Sequence, residues 1–286
     1  MAVYERAYRP YEGVLTPERG RFLILSRYAW REIFSSKLFT ILFAGCFLFP
    51  VAFALIIYLN HNLSALTALK IPQGVLLPVI SKLFMSFALI QSLMSVLLAL
   101  IVGPSLVSPD LSNNGLALYL CRPFSRTEYV LGKMTVLVVL LSAITWVPGL
   151  ILFLLQAYLQ GSGWMTANLR VAGAMSLAFW MLILVVSLMT LAASAWVRRK
   201  FLAAALVAGT FYVSLAFAAA VNGLFGTHNG HLLDLSGLII TVFARLFGHE
   251  PYTKLSLMQG LVPLAIFCVF CLLLLSRKVR AYEVVR

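Results

Sequence analysis

The sequence predicts an all-α integral membrane protein with six transmembrane helices. Three observations carry that prediction. The chain of 286 residues is 62% hydrophobic and only 11% charged, whereas a soluble domain carries roughly a quarter charged residues. Six stretches reach the ~20 mostly apolar residues that a spanning helix needs: 38–59, 83–107, 134–159, 171–197, 201–225 and 255–276. The 22 lysines and arginines are also divided unevenly between the segments that join those stretches.

That division gives the orientation. With the N-terminus inside, seven basic residues precede span one. Arg122, Arg126 and Lys133 follow span two, and Arg198, Arg199 and Lys200 follow span four. Arg277, Lys278, Arg280 and Arg286 occupy the tail, while only Lys70, Lys82, Arg170, Arg245 and Lys254 fall outside. Cytoplasmic loops of membrane proteins collect Lys and Arg. The expected location is therefore a cytoplasmic (inner) membrane, with both termini in the cytoplasm. The net charge of +13 then reflects basic residues held on one membrane face, and no nucleic-acid partner is expected.

Residues 1–20 form a charged, mixed N-terminal segment with no cleavable signal pattern and no assigned role. Residues 21–37, RFLILSRYAWREIFSSK, place Phe22, Leu25, Tyr28, Ala29, Ile33 and Phe34 near one helical face, with Arg27, Arg31 and Glu32 elsewhere. This pattern predicts an amphipathic helix lying in the membrane interface. The six-span domain occupies 38–276, with a polar cytoplasmic segment at 108–133 and an outer-face segment at 226–254. Within the latter, 231–248 is too short and too polar at its ends for a seventh span, and is expected to form an outer-face or re-entrant helix. Residues 277–286 are the cytoplasmic tail.

The chemistry visible in the chain is sparse. No Asp, Glu, Lys, Arg or His lies near the middle of any span, which argues against a proton-coupled carrier, since such carriers use buried ionisable relays. Gln91, Ser92 and Ser95 in span two, Thr145 and Gln156 in span three, and Ser187 and Thr190 in span four are the polar exceptions. Gln91, Ser95, Thr145 and Gln156 are candidates for a substrate path, although bonding to neighbouring helices is the favoured role. Cys46, Cys268 and Cys271 read as small apolar residues of membrane helices, and Cys121 falls in the polar segment. His228, His231 and Asp234 make too small a set for a metal site and read as loop residues. Gly132-Lys133 lacks the remainder of a phosphate loop, with Thr127 in place of the first glycine and Met134 after the lysine. The LSNNG stretch at 111–115 has no phosphate loop to accompany it. The chain by itself is thus not expected to be an enzyme or to bind a cofactor.

The segment 108–133 is more elaborate than a simple loop. Ser108-Pro109-Asp110 has the composition of a helix start: a cap, a proline and an acid. Arg122-Pro123 reads as a stop, and Ser125-Arg126-Thr127-Glu128 fits a capping box opening the next helix. The expectation is a short helix across the cytoplasmic face, a break, and a capped helix entering the membrane.

The stretch LVSPDLSNNGLALYLCRPFSRTEYVLGKMTVL, with YAWREIFSSKLFT before span one, resembles type-2 ATP-binding-cassette export permeases over about residues 22–280. The resemblance implies a dimer of two permease chains, identical or different, each docked on a separate cassette ATPase that carries ATP and Mg. It further implies that Asp110, Leu111, Leu118, Tyr119, Arg122, Arg126 and Glu128 form the ATPase-coupling element. Leu118 and Tyr119 would pack into the ATPase, with Arg122, Arg126 and Glu128 at the rim. The implied activity is movement of an amphiphilic, lipid, drug or glycan substrate. The alternative is a non-transporting scaffold or a force-transmitting subunit of a larger membrane complex.

Overall fold

The computed structural model describes residues 21–62, 81–113, 125–226 and 229–278. Among them no strand occurs, and six helices or helix pairs are long and apolar enough to cross a membrane. They are α2–α3 (Lys37–Gly45 and Leu48–His61), α4 (Ser81–Ser112), α5–α6 (Arg126–Ile144 and Trp146–Gln160), α7 (Ser162–Trp196), α8 (Lys200–Phe225) and α10 (Leu257–Lys278). Two further helices flank them: α1 (Arg21–Ser35) before span one and α9 (Leu235–Leu246) between spans five and six, the latter preceded by a 3-10 turn at Asn229–Leu233.

Spans one and three are broken in mid-course, and proline accounts for both breaks. Proline has no N–H and its ring clashes with the carbonyl four residues earlier. Pro50 therefore disrupts the ladder at Cys46, and Pro148 disrupts it at Ile144, which is where α2 and α5 end. The Cys46 carbonyl is not left bare. The Gln91 side chain of α4 donates Nε2–H to it at 3.1 Å. A buried amide in span two thus satisfies a backbone group freed in span one.

α7 is the hub of the bundle. It packs on α4 most extensively and also touches α5, α6, α8, α9 and α10. Close approach to α4 depends on Gly103, where a Cβ would meet the Thr190 side chain at 2.5 Å. Small residues at such crossings let membrane helices approach and gain packing that lipid does not offer. An edge-to-face aromatic series, Phe87 to Phe179 at 6.4 Å and Phe179 to Phe243 at 5.7 Å, ties α4, α7 and α9 together. Burial falls off outward from this centre. The most apolar windows of spans three and four are 61% buried, against 17% in spans five and six. The outward faces of α2, α8 and α10 present Ile41, Val213 and Ile266 in the open, an apolar surface suited to lipid or to another membrane chain.

α1 differs in detail from the helical face expected of it. Leu25, Ser26, Ala29 and Ile33, spaced by one and two turns, are buried against α5. Tyr28 and Phe34 are exposed. The apolar residues of this helix therefore serve two surroundings, the protein on one side and the exterior on the other.

Candidate functional site at the α4–α5 end of the bundle

The expected helix start at Ser108-Pro109-Asp110 is not a start. α4 continues without interruption through Pro104 and Pro109 to Ser112. The physical reason lies in α7. Ser194 Oγ accepts the Ser108 N–H at 2.9 Å and donates to the Pro104 carbonyl at 3.2 Å. These are the two groups that an ordinary i to i−4 bond would pair, so a hydroxyl from α7 bridges one turn of α4 between its two prolines. Ser108 Oγ in turn donates to the Val197 carbonyl at 2.7 Å, closing the C-terminal end of α7. Ser108→Ala removes this bond in a buried setting and is expected to cost about 1–2 kcal/mol, read as a lower thermal unfolding midpoint in detergent.

The capping box that opens α5 is present as the sequence predicts. Ser125 Oγ accepts the Glu128 N–H at 3.2 Å, and Glu128 Oε2 accepts the Ser125 N–H at 2.7 Å. Glu128 is therefore engaged in holding the helix start. α4 and α5 are then joined by charge. Lys133 Nζ lies 2.9 Å from Asp110 Oδ2, with side chains only 10% and 17% exposed. Tyr129, one turn before Lys133, donates its hydroxyl to the same Oδ2 at 2.7 Å, and the ammonium sits 5.7 Å from the Tyr129 ring centroid. A half-buried carboxylate thus receives a cation and a phenol from one face of α5, the arrangement that lets a charge survive with little water around it.

α1 is fastened to the same turn of α5. Ser26 Oγ donates to the Gly132 carbonyl at 2.7 Å. A Cβ on Gly132 would stand 2.8 Å from the Phe22 carbonyl oxygen. Only glycine allows α1 to lie this close. The end of α4, the start of α5, the end of α7 and all of α1 therefore form one interlocked unit.

Of the coupling residues expected from sequence, the structure brings Asp110 into this unit and places Glu128 in the adjoining cap. Leu118, Tyr119 and Arg122 lie outside the described residues, as do the side chains of Leu111 and Arg126. Sequence reading missed Tyr129 and Lys133 as partners of Asp110. The signal was there in the i,i+4 spacing of Tyr129 and Lys133, which puts both on one helical face. The proline-to-carbonyl arithmetic that links Pro50, Cys46 and Gln91 was legible for the first two residues only.

The four substrate-path candidates are all fully buried, and two of them, Gln91 and Gln156, leave Oε1 without a hydrogen-bond partner. Besides the Gln91 bond to Cys46, Ser95 donates to the Gln91 carbonyl at 2.7 Å and Thr145 to the Leu141 carbonyl at 2.6 Å. Gln156 Nε2 bonds Gln160 Oε1 at 2.5 Å.

At the opposite end of the bundle, where α4 begins, Ser81 Oγ meets His249 Nε2 at 2.9 Å. Nearby, Asp234 is buried beneath the 3-10 turn and α9 and accepts from Ser236 Oγ at 2.6 Å. The Tyr252 hydroxyl lies 3.5 Å from Asp234 Oδ2. Desolvation of that hydroxyl, and then the Asp234 charge and hydrogen bond, raise its pKa above the ordinary value. The folded state thus keeps the Tyr252 proton where the unfolded chain loses it. The associated stability is present below about pH 10 and is lost as pH rises beyond it. Tyr252→Phe is expected to flatten the alkaline side of the unfolding-midpoint profile. The described residues include no group of three or more His, Cys, Asp or Glu placed to hold a metal, and His228 lies outside them.

No protein-family model matches the chain, and no curated protein matches it in sequence.

Proposed function

We propose that this chain is the membrane-spanning permease subunit of an ATP-driven exporter or flippase. It moves an amphiphilic, lipid, drug or glycan substrate. A separate cassette ATPase, carrying ATP and Mg, docks on the segment between α4 and α5, and a second permease chain completes the pathway. The termini lie in the cytoplasm of a cell whose inner membrane holds the protein, in keeping with the uneven distribution of basic residues. α1 lies along that membrane face with Tyr28 and Phe34 toward lipid, as exposed aromatics beside arginines favour.

The observation that carries this reading is the anchoring of both ends of the 114–124 segment. Asp110, four residues before that segment, is held by Lys133 and Tyr129 of α5, which begins just after it. A force applied to the segment reaches α4 and α5 together, and through Ser108 and Ser26 reaches α7 and α1. Interlocked packing of this kind moves as a unit, which suits a shift between two conformations driven by nucleotide binding on a partner.

The test is association with the ATPase. The full chain, tagged and extracted in mild detergent, is expected to co-purify with a cassette ATPase whose hydrolysis depends on it. Tyr119→Asp combined with Arg122→Glu is expected to abolish both. Retention of the ATPase by this double variant would refute the docking site. Absence of any cassette ATPase from the wild-type preparation would favour a non-transporting scaffold.

A further inference from the structure

α1 turns into α2 at Ser36, and the elbow roofs a cavity of about 240 Å³. Phe39, Val102 and Leu106 give it apolar lining, and Glu32, Ser36, Ser105, Lys133 and Lys200 give it polar lining. The cavity lies near span ends: Lys200 is the first residue of α8, and Ser105 is two turns from the end of α4. That is the depth at which spanning helices meet lipid headgroups.

The charges that line it are matched in an informative way. Lys133 is already paired with Asp110, so it offers N–H donors and little net charge. Among the described residues neither Glu32 nor Lys200 forms an ion pair. They line the same cavity without bridging each other. The hydroxyls are complementary too. Ser36 Oγ accepts the Phe39 N–H and keeps its proton to donate. Ser105 Oγ spends its proton on the Val102 carbonyl at 2.7 Å and keeps lone pairs to accept. A purely anionic ligand would face Glu32, and a purely cationic one would face Lys200. A ligand bearing a phosphate and an ammonium satisfies both. The volume is below the ~300–1,000 Å³ that encloses a drug-sized molecule, so it holds a headgroup and leaves the acyl chains outside. Ile101, exposed and on the cavity wall, offers apolar surface for those chains.

We infer that the cavity under the α1–α2 elbow binds the headgroup of phosphatidylethanolamine, with Lys200 and Lys133 holding the phosphate and Glu32 the ammonium. This site is separate from the ATPase-docking segment and does not rest on that reading. It makes the α1–α2 elbow responsive to the lipid beside it.

The test is native mass spectrometry of the delipidated full chain, titrated in parallel with phosphatidylethanolamine, phosphatidylglycerol and water-soluble phosphoethanolamine. Phosphatidylethanolamine is expected to bind more tightly than phosphatidylglycerol. Glu32→Gln is expected to erase that preference, and Lys200→Gln to weaken both lipids about tenfold, as loss of one charged hydrogen bond would. Both side chains are exposed and without ion pairs, so the two variants are expected to keep the wild-type unfolding midpoint. Equal binding of the two lipids by the wild type, a preference that survives Glu32→Gln, or no effect of Lys200→Gln would overturn the site. Displacement of the lipid by soluble phosphoethanolamine at the same concentration would overturn the assignment to lipid and point to a free phosphorylated amine.

Discussion

Asp110→Asn destabilises the protein by about 3 kcal/mol, the scale expected when one member of a buried ion pair is removed and the other charge is left stranded. Lys133 has no second carboxylate at its ammonium among the ion pairs of the described residues, and its side chain is only 10% exposed. Asparagine retains an oxygen for the Tyr129 hydroxyl, which confines the loss to the charge. Combining Asp110→Asn with Lys133→Met is expected to recover most of the stability, because the double variant has no buried charge to strand. Thermal unfolding in detergent of the wild type, the two single variants and the double variant measures the coupling. Additive losses would show that the pair is not the element holding α4 to α5. In the proposed transport cycle the same single variant is expected to uncouple ATP hydrolysis from substrate movement while leaving ATPase association in place, since the docking residues are further along the segment.

Gly132→Leu is expected to detach α1 from α5. Even alanine would bring a Cβ to 2.8 Å from the Phe22 carbonyl oxygen and 3.3 Å from the Leu25 Cβ. The first neighbour is backbone and cannot rotate away. Overpacking of this sort costs about 1–3 kcal/mol where the neighbours can adjust, and more where they cannot. Leucine leaves α1 no position against α5 and breaks the Ser26 bond to the Gly132 carbonyl. The readout is local. With the four native cysteines replaced by alanine and Ala29→Cys added, the buried position 29 is expected to resist maleimide labelling in the Gly132 chain and to react in Gly132→Leu. Labelling that stays slow in the leucine variant would mean that α1 is held by contacts other than this close approach.

Much of the architecture could be read along the chain, because it rests on local rules. Apolar runs of spanning length set the helices, and the serine and glutamate three residues apart set the α5 start. The breaks in spans one and three were not predicted, although their cause is equally local. Pro50 and Pro148 stand inside long apolar runs, and a missing N–H four residues on marks Cys46 and Ile144. What the prolines at 104 and 109 do could not be read that way. Their sequence context, with Ser108 before and Asp110 after, has all the marks of a helix start. α4 runs on through them, and Ser194, 86 residues away, braces the turn between them from α7. The same holds for Asp110. Its neighbours suggest a helix-dipole role, and its partners come from the next helix.

The sequence by itself determined six stretches long and apolar enough to cross a membrane, and where one polar segment interrupts its apolar course. These follow from hydrophobic length, composition and capping, which act over a few residues. Only the tertiary structure decided that Asp110 belongs to Lys133 and Tyr129, that Gly132 exists to admit α1, and that Glu32 and Lys200 face one cavity. Those are consequences of side chains meeting across helices. In a low-dielectric surrounding a buried charge or hydroxyl gains most from a partner, and here packing across helices supplies partners that neighbours in the chain do not.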